Sequence, residues 1–233
     1  MKSNISGRAI TNEKMDILDI LIIILAVSLL IGLLYFEKQG NCKAVLPNKT
    51  LLSCLFIFTA LVQSHPLAEY FYLILVGLIF CLGGDVFLAL PQEKMFLYGL
   101  ISFLMGHVFY VAAFFAVVQL NQWTWIGFAL CLVLSGAIYF WLRPHLGLMN
   151  LPVLSYIIVI TIMVVGAWSV IGDTQLAFSG RVVIFVGALS FYFSDVFVAR
   201  NRFLKPGFLN RLTGLPLYYL GQFLLAFSVG FLN

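Results

Sequence analysis

Eight apolar runs, each about 20 residues long and parted by short polar breaks, fill most of this 233-residue chain. Runs of that length match the hydrocarbon core of a bilayer, and they lack the period-2 alternation of a half-buried strand. In lipid every backbone N–H and C=O must bond internally, which leaves helices or a closed barrel. The runs therefore read as helices over 17–36, 44–62, 70–90, 95–118, 122–141, 150–170, 179–199 and 211–231. Only 9% of the residues are charged, against roughly 25% in a soluble domain, so a water-soluble globule is excluded. The fold expected is all-α: a polytopic membrane bundle of eight transmembrane helices. Residues 1–16 form a polar N-terminal segment, and 17–233 form a single transmembrane domain with no room for a soluble one.

The first run follows Lys14 but is too long for a signal-peptide core and lacks a small-residue cleavage site, so it is read as a retained helix. Cys54, Cys81 and Cys131 fall inside spans and Cys42 in a loop, which suits small apolar packers better than disulfides. The net charge of +4 reports topology and does not point to nucleic acid. The odd-numbered loops carry nine Lys and Arg against four on the opposite side, which places the odd loops in the cytoplasm. The expected location is an integral, multi-pass position in a bacterial inner membrane.

Within this apolar background two stretches stand out, "VGLIFCLGGDVFLAL" ending at Leu90 and "VGALSFYFSDVFVAR" ending at Arg200. Aligned without gaps they share Val76/Val186, Gly77/Gly187, Asp85/Asp195, Val86/Val196, Phe87/Phe197 and Ala89/Ala199. They sit on spans three and seven, which run in the same direction, so the bundle is expected to comprise two parallel four-helix repeats. Spans four and eight add Gly106-His107 opposite Gly221-Gln222.

An intramembrane carboxylate costs about 2.5–3.5 kcal/mol on insertion scales, so it normally faces the bundle interior and marks function. Helical rise puts Asp85 about 7 Å and Asp195 about 6 Å inside the basic end of their spans. Tyr156 and Tyr219 lie roughly 10 Å in from the same face, with His107 and Gln222 nearer the midplane. Ser53, Ser135, Tyr139 and Ser194 occupy that half too, whereas the other half reads as almost wholly apolar. No Lys or Arg is expected deep enough to neutralise either aspartate. The polar set implies a cavity open toward the odd loops. A lone buried histidine serves packing as readily as chemistry, and the scattered cysteines offer no three- or four-ligand zinc site. No metal and no cofactor is expected. Intramembrane carboxylates on parallel repeats also suit a proton-coupled small-molecule or lipid transporter, which stands as the alternative.

The segments "GDVFLAL…FLYGLISFLMGHVFYVAAF", "LPVLSYIIVITIM", "VGALSFYFSDVFVA" and "YYLGQFLLAFS" resemble the lysoplasmalogenase (YhhN-type) family of integral membrane proteins. The likeness runs from about residue 17 to the C-terminus, through five short motifs in order on separate helices. It departs at "KAVLPNKT", where the family resemblance leads one to expect a tighter Lys-Pro pair. The resemblance implies hydrolysis of the vinyl ether bond of a lysophospholipid, giving a fatty aldehyde and glycerophosphoethanolamine or glycerophosphocholine. It implies Asp85 and Asp195 as catalytic residues, and His107, Tyr110, Tyr156, Ser194, Tyr219 and Gln222 as substrate-binding residues. Membrane lipid is the other expected partner.

Vinyl ether hydrolysis starts by protonating the alkene carbon β to oxygen, so the site needs a carboxylic acid that holds a proton. Two neighbouring carboxyl groups titrate as a unit and divide acid and stabilising roles, as in glycoside hydrolysis. Because Asp195 follows Ser194 while Asp85 follows Gly84, Asp195 is expected to be the better hydrogen-bonded, ionised member. The lipid phosphate is expected near Lys94, Arg200 or Arg202.

Overall fold

The computed structural model describes residues 16–232. Apart from Asp16, the polar N-terminal segment lies outside the described residues. Among the described residues eight α-helices follow one another: α1 (Ile17–Gln39), α2 (Cys42–Val62), α3 (Ala68–Ala89), α4 (Glu93–Val117), α5 (Gln122–Leu142), α6 (Asn150–Gly172), α7 (Phe178–Ala199) and α8 (Phe208–Phe231). Each is long and apolar enough to cross a membrane, so the protein is an integral, multi-pass membrane protein.

The breaks follow local chemistry. Gly40, at φ 66°, ends α1 in the left-handed conformation, with its N–H and that of Asn41 returning to carbonyls of the last turn. The Asn41 side chain then caps Ala44 and starts α2 two residues before the expected boundary. Asn121 caps α5 through Trp123 and Thr124. Past Ala199, α7 runs on into a single π-type turn over Arg200–Leu204, and α8 begins at Phe208, a turn earlier than expected.

The helices pack in sequence within each half, α1 to α4 and α5 to α8, and the halves interlock where α2 meets α8 and α4 meets α6. The closest pairs are α3 with α4 and α7 with α8. Each pair crosses at aligned glycines. A Cβ on Gly106 would stand 3.0 Å from the Gly77 carbonyl oxygen, and one on Gly221 would stand 2.9 Å from that of Gly187. Two turns along, a Cβ on Gly99 would lie 3.4 Å from the Gly84 carbonyl, and one on Gly214 would lie 3.5 Å from that of Ser194. The spacing from Gly99 to Gly106 equals that from Gly214 to Gly221, so both pairs dock with one register. Small residues at such crossings let backbones approach, which is what holds helices together where lipid removes the hydrophobic drive.

α1 is the least buried of these helices, and Ile22, Ala26 and Leu33 are its buried residues where it packs on α2 and α8. α8 is the most enclosed. The half away from the odd loops is less apolar than expected: Tyr70 and Ser228 share a hydrogen bond at 2.6 Å, as do Thr124 and Ser169 at 2.7 Å. These buried hydroxyls satisfy one another, so they persist in a low-dielectric layer without water. Cys81 and Cys131 are buried packers, while Cys54 faces outward.

Candidate functional site

Asp85 sits on α3 one residue after Gly84, whose missing side chain lets the Phe103 ring of α4 lie against the backbone. That close packing buries Asp85 to 1% exposure. Its carboxylate does not stay alone. Lys49 of α2 reaches it at 3.4 Å, Ser53 donates at 2.7 Å, and the Tyr218 hydroxyl of α8 donates to the same oxygen as Ser53. Lys49 is itself 3% exposed. The expectation that no cation lies deep enough is therefore corrected. With α2 starting at Cys42, Lys49 stands two turns inside the helix, on the face it shares with Ser53, Leu52 and Phe56. Its alkyl stem packs among apolar neighbours and delivers the ammonium to the carboxylate.

Asp195 occupies the matching place on α7 but is served differently. Tyr156 of α6 donates to it at 2.6 Å. Among the described residues no Lys or Arg bridges it. The Ser194 hydroxyl is buried and unpartnered among the described residues, so the adjacent serine does not supply the expected hydrogen bond. Asp85 is thus the better-bonded member, with three partners where Asp195 has one.

Both aspartates line one cavity, together with Lys49, Tyr156, Ser194 and Tyr218. One flank is apolar, formed by Leu100, Ile138, Leu142, Val153 and Ile157. The other leads past Gly214 to Asn210, Arg211 and Asn201 at the odd-loop end. Its open volume of about 100 Å³ holds a reacting group and a few waters. Of the basic residues expected near a phosphate, Arg200 bonds Asn210 at 2.8 Å and Arg202 stacks 4.7 Å over the Phe96 ring. Arg211, which was not among them, is the arginine in the lining.

The remaining expected site residues divide. Tyr110 donates to Gln222 at 2.7 Å, and Gln222 donates to the Tyr218 hydroxyl at 3.2 Å, so these two buttress the tyrosine that holds Asp85. His107 is fully buried with its ring edge-on to Tyr156, centroids 5.2 Å apart, and to Phe191 at 4.5 Å. Neither of its ring nitrogens has a partner among the described residues. Tyr219 faces a second cavity of about 900 Å³, which α1 and α8 line from Asp16 and Phe231 inward. The two linings share no residue; Tyr218 and Tyr219, with ring centroids 4.8 Å apart, stand back to back between them. Among the described residues no three His, Cys, Asp or Glu side chains converge as a ligand set.

Lys49, Ser53 and Tyr218 are the site residues that spacing alone did not assign. The signal for the first two is a polar pair four residues apart on an otherwise apolar, inward face of α2. For Tyr218 the signal is weaker. It and Tyr219 differ by 100° of helical phase, and only the Gly214–Gly221 crossing face fixes which of them meets α3.

Fold and cavity together define a polytopic membrane protein that encloses two carboxyl groups, differently held, between its helices. The chain belongs to the YhhN family, whose profile matches residues 46–229. It is 30% identical over 195 residues to lysoplasmalogenase TMEM86A of Homo sapiens, covering 77% of each chain. It is 28% identical over 186 residues to lysoplasmalogenase TMEM86A of Bos taurus, covering 75% of this chain and 73% of that one. No solved structure matches the chain.

Proposed function

We propose that this protein is a lysoplasmalogenase, which hydrolyses the vinyl ether bond of a lysophospholipid to a fatty aldehyde and glycerophosphoethanolamine or glycerophosphocholine. The observation that carries this reading is the unequal pair of aspartates on one apolar-walled cavity, in a chain similar to two proteins of that name.

The inequality assigns the roles. Asp85, with an ammonium at 3.4 Å and two hydroxyl donors, is compensated as a carboxylate. Asp195, held by one tyrosine, carries the proton. It transfers that proton to the alkene carbon β to oxygen, and the positive charge that develops on the carbon bearing oxygen is stabilised by the fixed carboxylate of Asp85. Water adds to that carbon and returns a proton to Asp195. The hemiacetal then collapses: its hydroxyl loses a proton, the carbon–oxygen bond to glycerol breaks, and the departing glycerol oxygen is protonated. This order reverses the expectation that Asp195 is the ionised member. The odd loops face the cytoplasm in this reading, with the protein in a bacterial inner membrane.

The test is purified protein with alkenyl lysophospholipid, against an acyl lysophospholipid as control. Aldehyde release from the first alone is expected, and its loss in Asp85→Asn and Asp195→Asn. Full activity in either variant overturns the mechanism. The second cavity favours one other reading, proton-coupled transport, because it enters from the opposite end and stops at the neighbour of Tyr218. Counterflow of a solute in vesicles without aldehyde release selects that reading instead.

A further inference from the structure

We propose that Arg211 and Glu37 form a zwitterionic subsite at the cavity mouth, which reads the phosphate and the amine of the lipid head group. This rests on the lysoplasmalogenase reading and extends it to the part of the substrate that the aspartates do not touch.

Arg211 stands in the first turn of α8, seven residues before Tyr218 and on the same face, so its Cα lies about 10 Å toward the odd-loop end. The phosphorus of a lysophospholipid is joined to the vinyl ether oxygen by the three glycerol carbons and one ester oxygen. A vinyl ether beside Asp85 and Asp195 therefore carries its phosphate toward Arg211. There the Arg211 side chain is one-third exposed, and its one ion pair among the described residues runs from Nε to Glu37 at a loose 3.7 Å. Its terminal amino groups are left to grip two phosphate oxygens as a fork. The N-terminal end of the 24-residue α8 adds partial positive charge at the same place. The other nearby arginines are occupied, Arg200 with Asn210 and Arg202 over Phe96.

Glu37 supplies the complement. It lies in the last turn of α1, and its side chain is mostly buried, at 15% exposure. In ethanolamine and choline lipids a two-carbon linker places the ammonium close behind the phosphate. A phosphate on the Arg211 terminal amino groups thus sets the ammonium beside Glu37, and two pairs with the ligand join the protein's own Nε–Glu37 pair. A head group without an amine leaves Glu37 facing the phosphate, which penalises it.

Three substrates separate the parts: alkenylglycerophosphoethanolamine, alkenylglycerophosphate without the amine, and alkenylglycerol without the phosphate. Arg211→Gln is expected to raise KM about tenfold or more for both phosphate-bearing substrates and to leave alkenylglycerol unchanged. Glu37→Gln is expected to raise KM for the ethanolamine substrate alone. Because the pair also ties α1 to α8, the double variant Glu37→Arg/Arg211→Glu tells recognition from architecture. It restores the tie, and its head-group preference is expected to stay lost. Equal effects on all three substrates, or recovery in the double variant, overturn the subsite. Binding of soluble glycerophosphoethanolamine to the full chain in nanodiscs, measured by calorimetry, keeps the two proposals apart. Binding that both single variants weaken, without any hydrolysis, keeps the subsite and removes the enzyme. Hydrolysis with binding unchanged in both variants does the reverse.

Discussion

The Lys49 ammonium lies 3.4 Å from the Asp85 carboxylate, and the two side chains are 4% and 1% exposed. Two charges taken out of water this far hold each other in place, and the loss of one strands the other. Removing one partner of a buried pair costs about 3–5 kcal/mol, whereas removing both together is far milder. Lys49→Met is therefore expected to lower thermal stability sharply and abolish hydrolysis. The double variant Lys49→Met/Asp85→Asn is expected to regain most of the stability and none of the activity. Thermal unfolding of the four proteins in detergent completes the cycle, and simple additivity would mean that the pair does not couple.

The two tyrosines that serve the aspartates are predicted to differ in weight. Tyr156 is the hydrogen-bond partner of Asp195, whereas Tyr218 shares Asp85 with Lys49 and Ser53. Among the described residues Tyr156 alone holds the neutral Asp195 acid in place, and losing a neutral hydrogen bond that positions a reacting group costs about 1.4 kcal/mol, or roughly tenfold in rate. Tyr156→Phe is expected to cut kcat by at least that factor with little change in KM. Tyr218→Phe is expected to cost less, since two partners still orient Asp85. Steady-state kinetics on the two variants settle the order, and an equal loss in both would remove the distinction between the aspartates.

The helices, the buried aspartates and the parallel repeat were legible because each leaves a one-dimensional trace: a run length, an expensive residue, a repeated spacing. What was missed depends on a helix boundary or a rotation. Lys49 reads as an interfacial lysine when α2 starts at residue 44, and as an interior one once Asn41 caps the helix two residues earlier. Tyr218 and Tyr219 are chemically identical neighbours, and only the docking of α8 on α7 through Gly221 and Gly187 turns the first toward Asp85. His107 was legible as buried, but nothing in spacing shows that aromatic rings would enclose it.

The glycine crossings carry a prediction of their own. A Cβ on Gly221 meets the Gly187 carbonyl oxygen at 2.9 Å and the Phe191 backbone nitrogen at 3.0 Å, both rigid backbone atoms. Gly221→Val is thus expected to push α7 and α8 apart and lower the melting temperature. Gly136, on α5, has open space within 4 Å of where a Cβ would stand. Gly136→Ala is expected to be neutral or to stabilise by up to about 1 kcal/mol through helix propensity. If both variants melt alike, the aligned crossings do not hold the repeat together.

Proton transfer to carbon leaves a permanent label, which makes the role assigned to Asp195 open to direct reading. When hydrolysis is run in D₂O, the acid delivers a deuteron to the alkene carbon, and that carbon becomes the position next to the aldehyde carbonyl. Reducing the aldehyde at once to the alcohol prevents exchange through its enol, and mass spectrometry is then expected to find one deuterium at that carbon. A normal solvent isotope effect on kcat is expected alongside it, since the transferred proton is in flight at the barrier. A mechanism that instead displaces the glycerol oxygen by attack of water at the vinyl carbon, through an enol released to solvent, deuterates the aldehyde only after release. Its deuteron then arrives from solvent on either face of that carbon, giving a racemic label where the bound acid gives a single configuration, and its kcat carries no such effect. Asp195→Glu is the informative variant: it keeps the acid but moves it by one methylene. It is expected to retain the single-deuterium product at a reduced rate, whereas Asp195→Asn yields none.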